Sequence, residues 1–128
     1  MHKNLIIIRG VPGSGKSTFA TLLGRAICTA DDYFTRDKVY SWNPEKIHLA
    51  HQWCQRKCER FMTAGINPVI VANTSVKDSE VNIYIKMAEK YGYKPFSIIV
   101  ENRHGGKNIH NVPTETIEKM KSNFNIKL

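Results

Sequence analysis

Short runs of consecutive apolar residues alternate along the chain with longer segments whose apolar positions recur every three or four residues. Leu5-Ile6-Ile7-Ile8 is continuous, as a strand buried on both faces requires. Phe19, Leu22, Leu23, Ala26 and Ile27 follow at helical spacing, with Ile27 to Ala30 as the place for a short second strand. Pro44, with Asn43 ahead of it as N-cap, opens a long helix to about Ala64, where Gly65 stops it. Pro68-Val69-Ile70-Val71-Ala72 reads as a third strand. A helix from about Lys77 to Tyr91 then carries Val81, Tyr84, Ile85, Ala88 and Tyr91 on one stripe and ends at Gly92. Phe96 to Val100 is a fourth strand. Glu101 to Asn111 is polar, holds Gly105-Gly106 and has no periodicity, so it reads as a loop. Pro113 starts a last helix with Ile117, Met120 and Phe124 at helical spacing. No repeat or linker interrupts this order, so a single domain over residues 1–128 is expected. The alternation predicts an α/β fold, a parallel sheet of about four strands with helices on both faces.

Hydrophobic residues make up 41% and charged residues 23% of the chain, which excludes global disorder. The run Leu5 to Ile8 is far too short to cross a bilayer, and no signal-peptide core follows Met1 to Asn4. The chain therefore reads as cytoplasmic, with no membrane partner. Cys28, Cys54 and Cys58 are an odd set without a framework spacing, which points to reduced thiols. Nineteen Lys and Arg against eleven Asp and Glu give a charge of +8. The pI of about 9.5 brings a nucleic-acid partner into view. Taken alone, the charge is explained more simply by solubility and an anionic nucleotide.

Gly10-Val11-Pro12-Gly13-Ser14-Gly15-Lys16-Ser17 fits G-x-x-x-x-G-K-[ST] at every fixed position, between an apolar run and a helical pattern. The residue types follow from phosphate chemistry. Gly10, Gly13 and Gly15 let the backbone approach phosphate oxygens. The N–H groups of Ser14 to Thr18 and the helix start form an anion nest. Lys16 can span the β- and γ-phosphates, and the Ser17 hydroxyl can ligate Mg²⁺. These residues form the expected site for a nucleoside triphosphate. No guanine-specifying N-K-x-D occurs, and the length leaves little room for the coupling elements of a motor. A small phosphotransferase or NTPase remains. Asp31-Asp32-Tyr33-Phe34 falls at the expected carboxyl end of the second strand, the end that faces ligand in such sheets. A carboxylate there can accept the proton of an acceptor hydroxyl. Arg103 and Lys107 lie in the polar loop, where a basic lid could close over the phosphates.

These elements in this order resemble the kinase domain of bacteriophage-type polynucleotide 5′-kinases and their short AAA-type ATPase and kinase relatives. The resemblance runs from Leu5 to about Phe124. It rests on Lys16-Ser17, Asp31-Asp32-Tyr33, Asn73-Thr74, the Arg103 to Asn111 loop and Val112-Pro113. It implies a P-loop NTPase fold, ATP and Mg²⁺ as cofactors, and transfer of the γ-phosphoryl group to the 5′-OH of a polynucleotide. Asp31 would be the general base. Counting back from Val112-Pro113, the family's lid arginine falls on Lys107, with Arg103 as the alternative. Ala72-Asn73 stands where family members often carry an aspartate, so carboxylate contacts fall to Asp31 or Asp32, and Ser17 with Asp32 is the expected metal pair. Phe34 and Thr35 precede Arg36 where the family has an arginine soon after Asp-Asp-Tyr. Other readings are a kinase for a sugar, nucleoside or antibiotic hydroxyl, and an ATP-binding regulatory module.

His51, Cys54 and Cys58 share a helical stripe with Ile47 and Phe61, which reads as core rather than metal site. His104 and His110 read as loop and helix-start polar residues. Trp53 reads as core or partly buried. Trp42, beside Asn43-Pro44, is the better candidate for stacking on a base.

Overall fold

The structure, a computed structural model, describes residues 2–36, 39–108 and 110–128. In chain order the elements are β1 (Lys3–Arg9), α1 (Lys16–Leu23), β2 (Ile27–Cys28), β3 (Thr35–Arg36), β4 (Val39–Tyr40), α2 (Ile47–Thr63), β5 (Val69–Ala72), α3 (Asp78–Tyr91), β6 (Tyr93–Ile99) and α4 (Thr114–Ser122). β2, β5, β1 and β6 lie side by side in that order, all parallel. The strand alternation assigns the faces. Leu5 and Ile7 join Val69 and Val71 against α2 and α3, while Ile8 joins Ile70 and Ala72 against α1. Helix α2 contributes Ala50, Cys54, Cys58 and Met62 to the first layer, and α3 contributes Val81, Tyr84 and Ala88. Leu5, Ile7, Ile8, Val69, Ile70 and Val71 are wholly buried, each adding about 1.5–3 kcal/mol of hydrophobic stabilisation. No described helix is long and apolar enough to cross a membrane.

Cys54 and Cys58 of the α2 stripe are core with Phe61 packed against them, whereas Ile47 at its start is exposed and His51 is half-buried. Cys54 Sγ accepts hydrogen bonds from Tyr84 Oη at 3.3 Å and Asn73 Nδ2 at 3.6 Å. Burial pushes the Cys54 thiol up to about 11. Asn43 accepts from Glu45 N as the expected cap, although the first turn, Pro44–Lys46, is 3₁₀ and the α-helix begins at Ile47.

The structure differs from the pattern in four places, the first being Phe124, which lies beyond α4 because that helix ends at Ser122. Helix α1 stops at Leu23, short of Ala26 and Ile27, and Leu22 on the expected stripe is 76% exposed. Gly24 turns the chain there: a Cβ at that position would sit 3.2 Å from Ile70 Cδ1 and 3.4 Å from Pro68 Cγ. β6 begins at Tyr93 rather than Phe96, because Tyr93, Lys94 and Pro95 pair with Lys3, Asn4 and Leu5. Pro95 is accepted because β6 is an edge strand. The antiparallel pair β3–β4 has no counterpart in the apolar pattern, and its two-residue strands are too short to show one.

Arg9, the last residue of β1, is only 4% exposed. Its Nε donates to Ser75 O at 2.9 Å, and its Nη2 to Asn125 O at 2.6 Å and Val76 O at 3.3 Å. The Phe124 ring centroid lies 4.9 Å from the guanidinium carbon. Asn125 also caps α3 by accepting from Asp78 N at 2.9 Å. Burial lowers the Arg9 pKa, and Asp78 and Glu80 partly oppose it. The residue just before the P-loop thus holds the segment after α4 on the start of α3. Arg9→Leu removes every donor while leaving the carbonyls in place. Its expected cost is about 2–5 kcal/mol, read as a lower urea midpoint. A midpoint equal to wild type would contradict this role.

Candidate active site

β1 ends at the P-loop. Gly13 at φ 86° and Gly15 at φ 96° hold left-handed conformations that a side chain would strain. Gly15 precedes the first turn of α1, whose N-terminus has no side-chain cap and no acidic residue. Its first-turn N–H groups therefore remain open to an anion. Ser14 is fully buried, and its Oγ has no hydrogen-bond partner among the described residues. Ser17 and Thr18 are exposed on the first turn. Lys16 folds back over the loop, with Nζ donating to Val11 O at 3.1 Å. Burial lowers its pKa to about 8, and the charge of Asp31 partly offsets this. Unfilled donors around a desolvated ammonium suit a phosphate group.

Asp31 starts a single 3₁₀ turn, Asp31–Phe34, just beyond β2. Three contacts hold that turn. Thr29 Oγ1 accepts from Asp32 N at 3.2 Å, Asn73 Oδ1 accepts from Ala30 N at 2.8 Å, and the Phe34 side chain is buried. Asn73 is thus a structural residue. Its amide accepts from Ala30 and donates to Cys54 at once, which an ionised carboxylate cannot do. The Asp31 carboxylate remains 59% exposed just beyond β2, and its charge favours the charged form of Lys16. Asp32 is exposed too, and its charge acts on Cys28 instead.

The loop after β6 is folded rather than unstructured. Asn102 Nδ2 donates to Gly106 O at 2.8 Å, and Asn102 Oδ1 accepts from Gly106 N at 3.0 Å. His104 Nδ1 also accepts from Gly106 N, so Nε2 carries the hydrogen and donates to Ser14 O at 2.8 Å. A Cβ on Gly13 would lie 2.8 Å from Asn108 N and 3.0 Å from Lys107 C, so this backbone rests on the P-loop. The two candidate cations part here. Arg103 pairs with Glu101 at 2.9 Å on the outer surface, whereas the Lys107 backbone lies at the cradle.

Two residues absent from the sequence-based site meet Asp31. Tyr40 Oη donates to Asp31 Oδ1 at 3.4 Å, and His110 Nε2 lies 3.7 Å from Asp31 Oδ2. The sequence signal for His110 is its place two residues before Val112-Pro113.

A cation and open N–H groups for phosphate, with a carboxylate at the same edge of the sheet, are what phosphoryl transfer requires. With the parallel sheet beneath them, they define a P-loop kinase-like domain. The sequence matches the AAA domain family over residues 5–126, and the chain belongs to that family. Human NEDD4-binding protein 2 is 29% identical over 132 residues, covering 94% of this chain. The chain spans only 8% of that protein. Among solved structures, a sugar kinase from Janibacter sp. matches at TM-score 0.64 and 14% identity, over 98% of this chain and 80% of its own. The Pnkp1/Rnl/Hen1 complex matches at TM-score 0.59 and 18% identity, over 92% of this chain and 38% of the other. At these identities the likeness is one of fold.

Asn73→Ala would leave the buried Ala30 N–H unpaired immediately before Asp31. It is expected to cost about 1–3 kcal/mol in chemical denaturation. An unchanged denaturation midpoint would show that the amide does not hold the turn.

Proposed function

We propose that this chain is an ATP- and Mg²⁺-dependent kinase that transfers the γ-phosphoryl group to a hydroxyl, with the 5′-OH of a polynucleotide as the favoured acceptor. The observation that carries this reading is that the exposed Asp31 carboxylate, in the turn just beyond β2, lies at the same edge of the parallel sheet as the P-loop and its Lys16. Lys16 and the loop N–H groups hold the phosphates and neutralise charge on the transferring group. Asp31 accepts the hydroxyl proton as the oxygen attacks phosphorus. Ser17, exposed on the first turn of α1, would hold Mg²⁺ together with phosphate oxygens and water, whereas Asp32, whose charge acts on Cys28, has no contact among the described residues that places it with Ser17. The metal would supply charge neutralisation on those oxygens. Lys107 is the favoured lid cation because its backbone rests beside Gly13.

The polynucleotide preference draws on the sequence resemblance and on the charge of +8. Trp42 supports it: it is 55% exposed and lies two residues beyond Tyr40, which touches Asp31. An exposed indole there offers a stacking surface for a base. The fold shared with a sugar kinase over 98% of this chain keeps a small-hydroxyl acceptor as the second reading.

Labelled γ-phosphoryl transfer to 5′-OH DNA, 5′-OH RNA and a pool of small hydroxyl compounds separates these readings. The oligonucleotide is expected to be the better acceptor, with affinity that falls steeply with salt. Label on a small alcohol alone, without salt dependence, would contradict the polynucleotide preference. No label on any acceptor would contradict the kinase reading. Lys16→Ala should abolish transfer in a folded protein. Asp31→Asn should lower turnover by roughly 10²–10⁴ while keeping nucleotide affinity, and Asp32→Asn should cost less. The reverse order for the two aspartates would assign the base to Asp32.

A further inference from the structure

Asp31 is a short, mostly exposed side chain at the start of a single turn, so its own backbone does little to fix its carboxylate. Two rings from separate segments supply neighbours for it. Tyr40 comes from β4 and reaches Oδ1 at 3.4 Å; His110 comes from the loop before α4 and faces Oδ2 at 3.7 Å. Each carboxylate oxygen therefore has its own neighbour. The rings stack with centroids 3.9 Å apart and planes 31° from parallel, so moving one disturbs the other. Burial and then the charge of Asp31 push the Tyr40 hydroxyl up to about 12, so it stays a donor near neutral pH.

The same loop reaches the phosphate cradle nearer its beginning. His104 donates to Ser14 O, and the Lys107–Asn108 backbone rests on Gly13. One loop thus touches both places where phosphoryl transfer needs alignment. We propose that Tyr40 and His110 are positioning residues that align the Asp31 carboxylate. This rests on Asp31 being the base in the kinase reading above. The distances are long for hydrogen bonds, as catalytic contacts often are before substrate tightens them.

The test compares Tyr40→Phe, His110→Ala and His110→Gln, each alone and combined with Asp31→Asn. Turnover, acceptor KM and nucleotide Kd are measured for each, and thermal melts establish folding. Tyr40→Phe and His110→Ala are expected to lower kcat about 10- to 100-fold with nucleotide Kd unchanged within about twofold. His110→Gln keeps a side-chain donor and should recover part of the loss. In the Asp31→Asn background the further loss should shrink below about threefold, because the group being positioned is gone. An unchanged kcat, or an equal loss with and without Asp31, would overturn the role. Full activity of Asp31→Asn would overturn the base assignment beneath it. The contact has a readout free of turnover: the His110 ring resonances of the nucleotide-free protein should move on Asp31→Asn and on Tyr40→Leu. Resonances that stay in place would overturn the contact itself.

Discussion

An ammonium group stripped of much of its water, with one carboxylate close enough to act on it, organises the carboxyl end of this sheet. Burial of Lys16 favours its neutral form and brings its pKa from 10.5 to about 8, and the charge of Asp31 restores only part of the difference. That shift corresponds to a penalty on the order of 3 kcal/mol for keeping the charge. A phosphate seated among the open N–H groups of the loop would relieve it. The free cradle therefore favours an anion beside Lys16.

Bringing the segments that carry Lys16 and Asp31 to one edge is the work of the sheet. Ile8 pairs with Ala72 and Cys28 with Val71, so β1, β5 and β2 end side by side. Their exits become the P-loop, the Asn73 corner and the Asp31 turn. Asn73 ties two of these together by accepting from Ala30 N. Arg9 fixes a third, binding carbonyls of the segments after β5 and after α4 from the last position of β1. The loop after β6 then lies across the P-loop. The Asn73 and Arg9 groups find partners across these corners because parallel strands deliver the loops to one edge.

What could be read from the sequence was whatever has a period or a fixed spacing. Leu5 to Ile8 and Val69 to Ala72 are continuous runs and form the two central strands. Gly10 to Ser17 carries its chemistry in its spacing, and the loop forms where expected. The unread features have no period. Asn73 looked like a missing carboxylate because its role depends on Ala30 and Cys54, far away in the chain. The β3–β4 pair is too short to show alternation, yet it carries Tyr40 to Asp31. His104 and His110 looked like loop polar residues because their partners, Ser14 O and Asp31, are distant in sequence. Leu22 shows the opposite error: it follows the helical spacing, but α1 ends before its outer face meets anything to pack on.

The account turns on the electrostatic state of Lys16, and titrating its Nζ by nitrogen-15 NMR in the nucleotide-free protein reads that state directly. The ammonium is predicted to lose its proton around pH 8, well below an ordinary lysine. It should be charged below that pH and neutral above it. Asp31→Asn removes a favourable charge and should lower the midpoint further, whereas a bound nucleoside triphosphate favours the charged form and should raise it. A midpoint at the ordinary lysine value of 10.5, unmoved by Asp31→Asn, would contradict the account.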